Sequence, residues 1–470
     1  MPKTDSYATW HAAATAADER SGAMAWRRQD ASRRYDYKII KHRLSELRAV
    51  KTLGDVHRLL YWLNEGIHGN MGGIGSSSMY TKAKSGTKFL VSDYLAELAD
   101  ALEVVARASE ADIPFNERLE FFRRASHCFG RTALMLSGGG SLGPFHVGVI
   151  KALSEQHLLP NVISGSSAGS IITAIIGTRK SLAISNTLGS DLVVHTLESM
   201  DAQRVLTSGS NRQLSTDAVR SLVSQLIPDV TFQEAFEETG RQINITVSPK
   251  ELHQHSRLLN AITSPNVYLR EAVLASCAVP GVFPAVTLAA KNVRGERQPY
   301  VPSRQWVDGS MTDDLPAKRL ARLYGVNHFI TSQINPLVTW AMNDTQRSDT
   351  LYAKLWEINQ NATREWLKAT YPLAMQLTRS YFPLNVYTRM FYNLITQDYT
   401  ADINILPERR YWDPRKLLSA LSEHEVRSLI EEGERQAWPK IEMIRNCTLV
   451  SRTLDRILAD MEKQSLSMAA

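Results

Sequence analysis

The residues of this chain best suited to chemistry lie in the run Gly-Ser-Ser-Ala-Gly, in which Gly165 and Gly169 flank Ser167. A short apolar run at residues 162–163 precedes it, and an apolar helical pattern at residues 171–176 follows it. This is the GxSxG pattern in the strand, turn and helix setting of a nucleophile elbow. The two glycines permit a strained turn that exposes the serine hydroxyl. The pattern therefore predicts Ser167 as the nucleophile of an acyl transfer.

A second glycine-rich segment, residues 138–143, follows an apolar run at residues 132–136 and precedes a helical pattern with Phe145, Val149 and Leu153 on one face. Glycines let backbone N–H groups turn toward a ligand at a helix N-terminus, where the helix dipole also favours negative charge. Such a loop serves a phosphate or an oxyanion equally well. By itself a glycine triplet is more often a turn than a site.

The spacing of the two segments decides how they are read together. Gly140 and Ser167 are 27 positions apart, which is about one strand-helix-strand unit. In α/β-hydrolases a glycine-rich oxyanion loop lies further upstream, with other elements between. We therefore expect the two helix starts to lie on neighbouring strands, where one stabilises an oxyanion and the other supplies the nucleophile.

A third motif, Trp306-Val307-Asp308-Gly309-Ser310, places a carboxylate between an apolar strand end and a turn glycine. With these three motifs the chain resembles the patatin-like phospholipase family, whose signature is a GGGxxG anion loop, then GxSxG, then DG followed by a small residue. The resemblance implies a Ser–Asp dyad without histidine, with Ser167 as nucleophile and Asp308 as base.

The resemblance also implies an oxyanion hole in the glycine loop and requires no metal or cofactor. The loop positions are Gly138, Gly139, Gly140, Ser141 and Gly143, and the backbone amides of Gly139, Gly140 and Ser141 would be the donors. The chain departs from the family at two positions. Ser310 stands where Gly or Ala is commoner, and Leu142 stands where the family usually has Arg or Lys.

Leu142, residues 145–149 and residues 308–316 are similar to the triacylglycerol lipases of fungi and plants within this family. Residues 70–80 and 86–88 resemble the helical region that precedes the core in those lipases, and residues 399–403 and 433–439 resemble their C-terminal part. The resemblance implies a lipid acyl ester of the triglyceride type as substrate. The head group, acyl chain and oligomeric state stay open.

The alternation of strand and helix patterns predicts the fold class. Strand patterns occupy residues 132–136, 162–163, 243–247 and 328–334, and helical patterns occupy residues 33–50, 55–63, 88–106, 417–432 and 440–462. We expect an α/β fold with a patatin-like, mostly parallel sheet covered by helices on both faces. Its parts are an N-terminal helical region (1–130), a catalytic domain (131–340) and a C-terminal helical region (341–470).

Composition excludes several protein classes. Three widely separated cysteines argue against a disulfide framework or a zinc site. The N-terminal residues show no apolar signal segment, which favours a cytoplasmic protein. Residues 272–290 are uncharged, but Pro280, Gly281 and Pro284 interrupt them, so a buried strand-loop segment is expected instead of a membrane span.

The net charge of +6 is unevenly distributed. Nine Lys or Arg and three acidic residues lie between Arg27 and Lys51, a stretch that could contact an anionic membrane or lipid-droplet surface, or could be a helical brace on the core. Nucleic acid is not expected as a partner. The aromatic residues between Trp340 and Tyr399 are open to the same choice between a lipid interface and helix packing.

Two other functions fit parts of the sequence. A non-catalytic lipid-binding protein would retain GxSxG without turnover, and an α/β-hydrolase-like esterase would add His328 or His424 as the third member of a Ser-Asp-His triad. Nucleotide binding at the glycine loop lacks the GK[ST] ending of a P-loop. The dyad also requires a raised pKa for Asp308, since an unperturbed aspartic acid at about 3.9 is a poor base. Asp313 and Asp314 are nearby alternatives.

Leu142 tests whether the loop works through its backbone. If only amides stabilise the oxyanion, Leu142→Arg should leave the rate of ester hydrolysis within about tenfold of wild type. A bulky residue at Gly139 should lower the rate further, because its Cβ would crowd the acyl oxygen or strain the turn. Steady-state kinetics on a soluble ester compares the two variants. The reverse order would place the side chain of residue 142 in the site.

Overall fold

An α/β core with a mostly parallel sheet lies between helical regions at both ends of the chain, which confirms the predicted fold class. The computed structural model describes residues 6–180, 216–251, 254–341, 370, 401–408 and 421–469. Most of the aromatic stretch singled out in the sequence, from Trp356 to Tyr392, lies outside the described residues.

The N-terminal region is built from six helices, and local sequence signals mark the ends of several of them. For example, the Asp36 side chain accepts hydrogen bonds from the amides of Lys38 and Ile39 at the start of α3, and Gly54 ends that helix with a positive φ of 70°. The helices are α1 (Tyr7–Ser21), α2 (Ala23–Arg28), α3 (Tyr37–Leu53), α4 (Val56–Gly66), α5 (Phe89–Ala106) and α6 (Phe115–Phe129). Single 3₁₀ turns at Met71–Gly73 and Ser77–Tyr80 interrupt the Gly/Ser-rich loop before α5.

The main sheet has the strand order β4-β3-β2-β1-β8-β9, with β7 also paired to β3. Neighbouring strands from β3 to β9 in this order are parallel, whereas β4 and β7 run antiparallel to β3. A separate hairpin pairs β5 with β6. The bounds are β1 (Arg131–Leu136), β2 (Val162–Gly165), β3 (Gln242–Pro249), β4 (Arg257–Leu259), β5 (Ala289–Lys291), β6 (Arg297–Pro299), β7 (Trp306–Asp308), β8 (Val326–Ser332) and β9 (Ile403–Ile405).

Register brings the ends of the central strands level. Leu136, the last residue of β1, lies opposite Gly165, the last residue of β2, and opposite Ser332, the last residue of β8. Because carboxyl ends of parallel strands share one edge of the sheet, the loops that follow β1, β2 and β8 leave from the same edge. The glycine loop and the GxSxG turn are two of these loops.

Both faces of the sheet are buried, as expected for parallel strands covered by helices. Leu134 and Leu136 of β1 contribute to one hydrophobic cluster, whereas Ala133 and Met135 contribute to a second. The remaining helices are α7 (Pro144–Glu155), α8 (Ala168–Gly177), α9 (Thr216–Leu226), α10 (Phe232–Thr239), α11 (Leu269–Ser276), α12 (Ser310–Asp313), α13 (Ala317–Tyr324), α14 (Pro336–Ala341), α15 (Glu423–Ala437) and α16 (Ile441–Ala469).

The C-terminal part of the chain is integral to the core. Strand β9 extends the main sheet beside β8, which the expectation of a purely helical C-terminal region did not include. Helix α15 lies against α7 so closely that a Cβ on Gly148 would lie 1.9 Å from the Ile430 carbonyl oxygen, and one on Gly433 would lie 2.1 Å from that of Phe145. The helix that follows the glycine loop is therefore held by a contact that only glycine permits.

The uncharged segment at residues 272–290 does not form one continuous helix. It contains the end of α11, a loop, and the start of β5. Among the described residues, no helix is both long and apolar enough to cross a membrane.

Most basic side chains between Arg27 and Lys51 have partners within the chain. Six of its nine basic side chains form hydrogen bonds or ion pairs: Arg27 with Thr87 and Ser85, Arg34 with Ser78, Lys41 with Asp30, Arg43 with Trp62, and Arg48 and Lys51 with Glu97. The first helices are further fixed by Lys88, whose buried ammonium donates to the Trp26 and Gln29 carbonyls at 2.5 and 2.7 Å. These contacts favour the helical brace over an electrostatic membrane contact.

We expect deletion of residues 1–52 to prevent folding of the remaining chain. The deletion removes buried side chains that complete the hydrophobic cluster, among them Trp10, Ile40 and Leu47. Size-exclusion chromatography and thermal unfolding measure the outcome. As a charge control, Arg33→Gln combined with Lys38→Gln changes two exposed side chains and should leave the unfolding midpoint unchanged. A folded truncation that has merely lost salt-sensitive binding to anionic vesicles would contradict the brace.

Candidate active site

The glycine loop bends sharply between β1 and α7. Gly140 has a φ of 55°, and residues Gly140–Leu142 form a 3₁₀ turn just before Pro144 begins α7. A Cβ on Gly138 would lie 2.9 Å from the Ser310 Cβ and 3.3 Å from the Ser167 Cβ. The three motifs recognised in the sequence therefore meet at this glycine.

Ser167 lies between β2 and α8 in a strained backbone conformation. Its φ of 49° and ψ of −121° are rare for a residue with a side chain, and such conformations cost about 1–3 kcal/mol each. Close backbone approach surrounds the turn, since a Cβ on Gly165 would lie 2.3 Å from the Gly169 carbonyl oxygen, and one on Gly169 would lie 2.3 Å from that of Leu136. This is the geometry of a nucleophile elbow.

The elbow is held by buried hydroxyl groups. The Ser167 amide donates to the Ser276 Oγ at 2.9 Å, and the Ser276 hydroxyl donates to the Thr246 carbonyl at 2.8 Å. The Ser170 hydroxyl donates to the Ser167 carbonyl at 2.6 Å. Ser276 thus connects the elbow to β3 from the end of α11. The sequence placed this residue in an expected buried strand-loop segment and gave it no such role.

Asp308 ends β7 and is almost fully buried, with 2% of its surface exposed. Its amide donates to the Ala278 carbonyl at 2.9 Å, and its Oδ1 accepts the Ser310 amide at 2.8 Å. Burial raises the pKa of Asp308 to about 6, although hydrogen bonds from Ser310 and from the Ser167 side chain oppose the shift. Ser167 and Asp308 both lie against residues 277–278, since the Cys277 thiol donates to the Ser167 carbonyl at 3.5 Å.

The two histidines considered for a triad lie elsewhere. His328 Nδ1 is 3.1 Å from the Thr132 Oγ1, near the start of β1, at the end of the strand opposite to the glycine loop. His424 lies in the first turn of α15. His146 is the histidine beside the glycine loop, with its ring nitrogens 2.7 Å from the Ser332 Oγ and 3.0 Å from the Ser137 carbonyl oxygen.

His146 has a supporting role that the sequence did not indicate. Burial lowers its pKa to about 4, so the imidazole is neutral near neutral pH. Its two hydrogen bonds connect α7 to the residue before Gly138 and to the end of β8. The ring therefore stabilises the base of the glycine loop.

The amides of the glycine loop are not equivalent. The Gly138 amide donates to the Asp314 Oδ1 at 2.7 Å, and the Gly143 amide donates to the Gly140 carbonyl at 3.2 Å. Both are engaged inside the fold, so the candidates for oxyanion donors are those that the resemblance implies, the amides of Gly139, Gly140 and Ser141. The Leu142 side chain is half-buried and packs against the hydrophobic cluster.

A cavity of about 210 Å³ opens beside the site. Its lining includes Cys277 and Ala278, which lie next to Ser167 and Asp308. The lining also includes the apolar side chains of Leu274, Phe283 and Val286. Arg220 and Glu271 lie on the same wall, so the cavity combines apolar and charged side chains. Within the described part of the chain, no group of three or more His, Cys, Asp or Glu is placed to hold a metal ion.

Comparison with known proteins places these motifs in a family context. Residues 134–321 match the model of the patatin-like phospholipases, and residues 1–127 match a domain of unknown function, DUF3336. The chain is 31% identical to triacylglycerol lipase 4 of Saccharomyces cerevisiae, with 97% of this chain and 52% of that protein covered. It is 30% identical to triacylglycerol lipase SDP1L of Arabidopsis thaliana, with 87% and 52% covered.

A third relative matches over nearly its whole length. Triacylglycerol lipase ptl3 of Schizosaccharomyces pombe is 31% identical, with 100% of this chain and 98% of that protein covered. The chain spans about half the length of the first two relatives and almost all of the third.

We expect Ser276→Ala to lower the midpoint of thermal unfolding by a few degrees, because the substitution leaves the buried Ser167 amide and Thr246 carbonyl without their partner. It should also lower activity, since the strained elbow loses a support. Ser154→Ala is the matched control, because the Ser154 hydroxyl is buried with no hydrogen-bond partner among the described residues. Equal unfolding midpoints for the two variants would show that the Ser276 bridge does not support the elbow.

Proposed function

Because the chain belongs to the patatin-like phospholipase family, we propose that it is a lipid acyl hydrolase in which Ser167 and Asp308 form the catalytic dyad. One observation carries the proposal. A buried carboxyl group, whose pKa burial raises to about 6, lies beside a serine on a strained elbow. A base poised near the working pH is what activation of a serine hydroxyl requires.

The proposed reaction has two halves. Asp308 accepts the Ser167 hydroxyl proton while Oγ attacks the ester carbonyl, and the resulting oxyanion receives hydrogen bonds from the Gly139 and Gly140 amides. Collapse of the tetrahedral intermediate breaks the bond to the alcohol, which takes the proton from Asp308, and leaves an acyl-serine. Water then attacks the acyl carbonyl and passes a proton to Asp308. Collapse of the second tetrahedral intermediate breaks the bond to the Ser167 Oγ, which takes that proton back from Asp308, and releases the fatty acid.

Apolar side chains form part of the lining of the adjacent cavity, beside the charged Arg220 and Glu271, and they support a substrate with an acyl chain. Leu274, Phe283 and Val286 would contact an acyl chain, and Val282 on the loop beside the cavity is about half exposed, at 47%. The similarity to three proteins named triacylglycerol lipases supports the same substrate class. We propose that the protein meets this substrate at a lipid surface and acts there as a peripheral protein.

The esterase with a Ser-Asp-His triad and the non-catalytic lipid-binding protein receive less support. His328 and His424 lie away from the elbow, and neither is a neighbour of Asp308 in the arrangement described above. Ser167 and Asp308 are both present, and the Ser167 side chain is among the groups that shift the pKa of Asp308, an arrangement that a purely lipid-binding protein would not need.

We expect Ser167→Ala to abolish ester hydrolysis and covalent labelling by a fluorophosphonate, and to leave the fold intact, because it removes one oxygen. Asp308→Asn should lower the rate by about 10³-fold or more, since the base is lost. His328→Ala and His424→Ala are the controls and should keep most of the activity if they fold. Labelling kinetics and hydrolysis of a soluble short-chain ester provide the readouts.

The control variants distinguish the mechanisms. A folded His328→Ala protein that has lost several orders of magnitude in rate would replace the dyad with a triad. Wild-type rates in Ser167→Ala would remove Ser167 from the mechanism, and a wild-type protein that neither labels nor hydrolyses any ester would favour the lipid-binding alternative.

A further inference from the structure

Asp314 connects the loops that form the site. It follows α12, six residues after Asp308, and only 1% of its surface is exposed. Its Oδ1 accepts the Gly138 amide at 2.7 Å, and its backbone carbonyl accepts the Ser166 hydroxyl at 2.9 Å. One residue thus contacts the first glycine of the anion loop and the residue before the nucleophile.

We propose that Asp314 is a positioning residue, which fixes the glycine loop against the elbow so that the Gly139 and Gly140 amides can receive the oxyanion. The inference rests on the function proposed above. An oxyanion hole works only if its donors are held in place before the charge develops, and a displacement of about 1 Å can cost on the order of 10²-fold in rate. Most residues of the glycine loop have no side chain that could fix the loop in place. The hydrogen bond at its first glycine therefore has a large effect on the position of the loop.

The charge state of Asp314 follows from its surroundings. Burial raises its pKa to about 8, and the nearby Asp308 carboxylate contributes to the rise, whereas hydrogen bonds from Gly138 and Gln333 oppose it. Asp313 adds a smaller repulsion, and its own carboxylate lies 3.3 Å from Arg319. Near neutral pH the favoured state of the pair has Asp308 ionised and Asp314 protonated.

Protonated Asp314 can still accept the Gly138 hydrogen bond through its carbonyl oxygen. When it ionises at alkaline pH, a second negative charge appears beside Asp308 and behind the anion loop. That charge disfavours the oxyanion of the transition state. The structure therefore indicates a rate that rises as Asp308 ionises near pH 6 and falls as Asp314 ionises near pH 8.

Two substitutions separate the acceptor from the charge. Asp314→Asn keeps an oxygen for the Gly138 amide and cannot ionise, whereas Asp314→Leu has a similar size and neither property. The full-length variants are compared with wild type by kcat and kcat/KM for a soluble short-chain ester from about pH 5 to about pH 10. Fluorophosphonate labelling of Ser167 is followed in parallel, and thermal unfolding verifies the fold of each variant.

We expect Asp314→Leu to lose about 10²-fold in kcat with little change in KM, because the transition state alone uses the aligned amides. Asp314→Asn should recover most of that loss and should lack the alkaline decline, while its acidic limb from Asp308 remains. If Asp314→Asn restores the rate and also lacks the alkaline decline, general loosening of the structure cannot explain the result.

Other results overturn the inference. If Asp314→Leu is folded and matches wild type, the loop needs no such bond. If Asp314→Leu does not fold, the pH profile of Asp314→Asn decides alone, and an alkaline limb identical to wild type rejects the role of Asp314. If hydrolysis in the same assays still depends on Ser167 and Asp308, the proposed function stands even where the role of Asp314 is rejected. If hydrolysis does not depend on Ser167, both proposals are rejected.

Discussion

The active-site arrangement depends on close approach of backbone segments at the carboxyl edge of the sheet. A side chain at Gly169 would meet the Leu136 carbonyl, and a side chain at Gly309 would lie 2.4 Å from the Thr246 carbonyl oxygen. A side chain at Gly138 would meet the side chains of Ser310 and Ser167. Glycines at these points allow β1, the elbow and the Asp308 turn to share one small volume. Without that proximity Ser167 and Asp308 could not lie in one site, and the connection through Asp314 could not form.

The sequence allowed prediction of those parts of the structure that depend on local pattern. Alternating strand and helix patterns give the parallel sheet, and the spacing of the glycine loop and GxSxG places their helix starts on adjacent strands, as the register of β1 and β2 shows. The family resemblance is confirmed by the match of residues 134–321. The roles of Ser276, His146 and Asp314 could not be foreseen, because each arises from contacts between segments far apart in sequence.

The same limit explains the outcome for the basic stretch and for β9. A run of Lys and Arg looks identical in sequence whether its partners are lipids or carbonyl groups elsewhere in the chain. The partners of Arg27 and Arg43, Thr87 and Trp62, become visible only once the helices are packed. Strand β9 contains three residues, too few for any periodicity, and it is defined by its pairing to β8.

Placing the Asp308 carboxyl group in this crowded volume costs stability and raises its pKa. Some carboxyl groups have a higher pKa in the folded protein than in the unfolded chain. For such a group, the free energy of unfolding falls as the pH rises from the unfolded-state pKa to the folded-state pKa, because the folded state resists its ionisation. For Asp308 the rise from 3.8 to about 6 corresponds to about 3 kcal/mol above pH 6. Asp314 extends the same cost to higher pH. The hydrophobic packing of α7, α15 and the N-terminal helices offsets this cost.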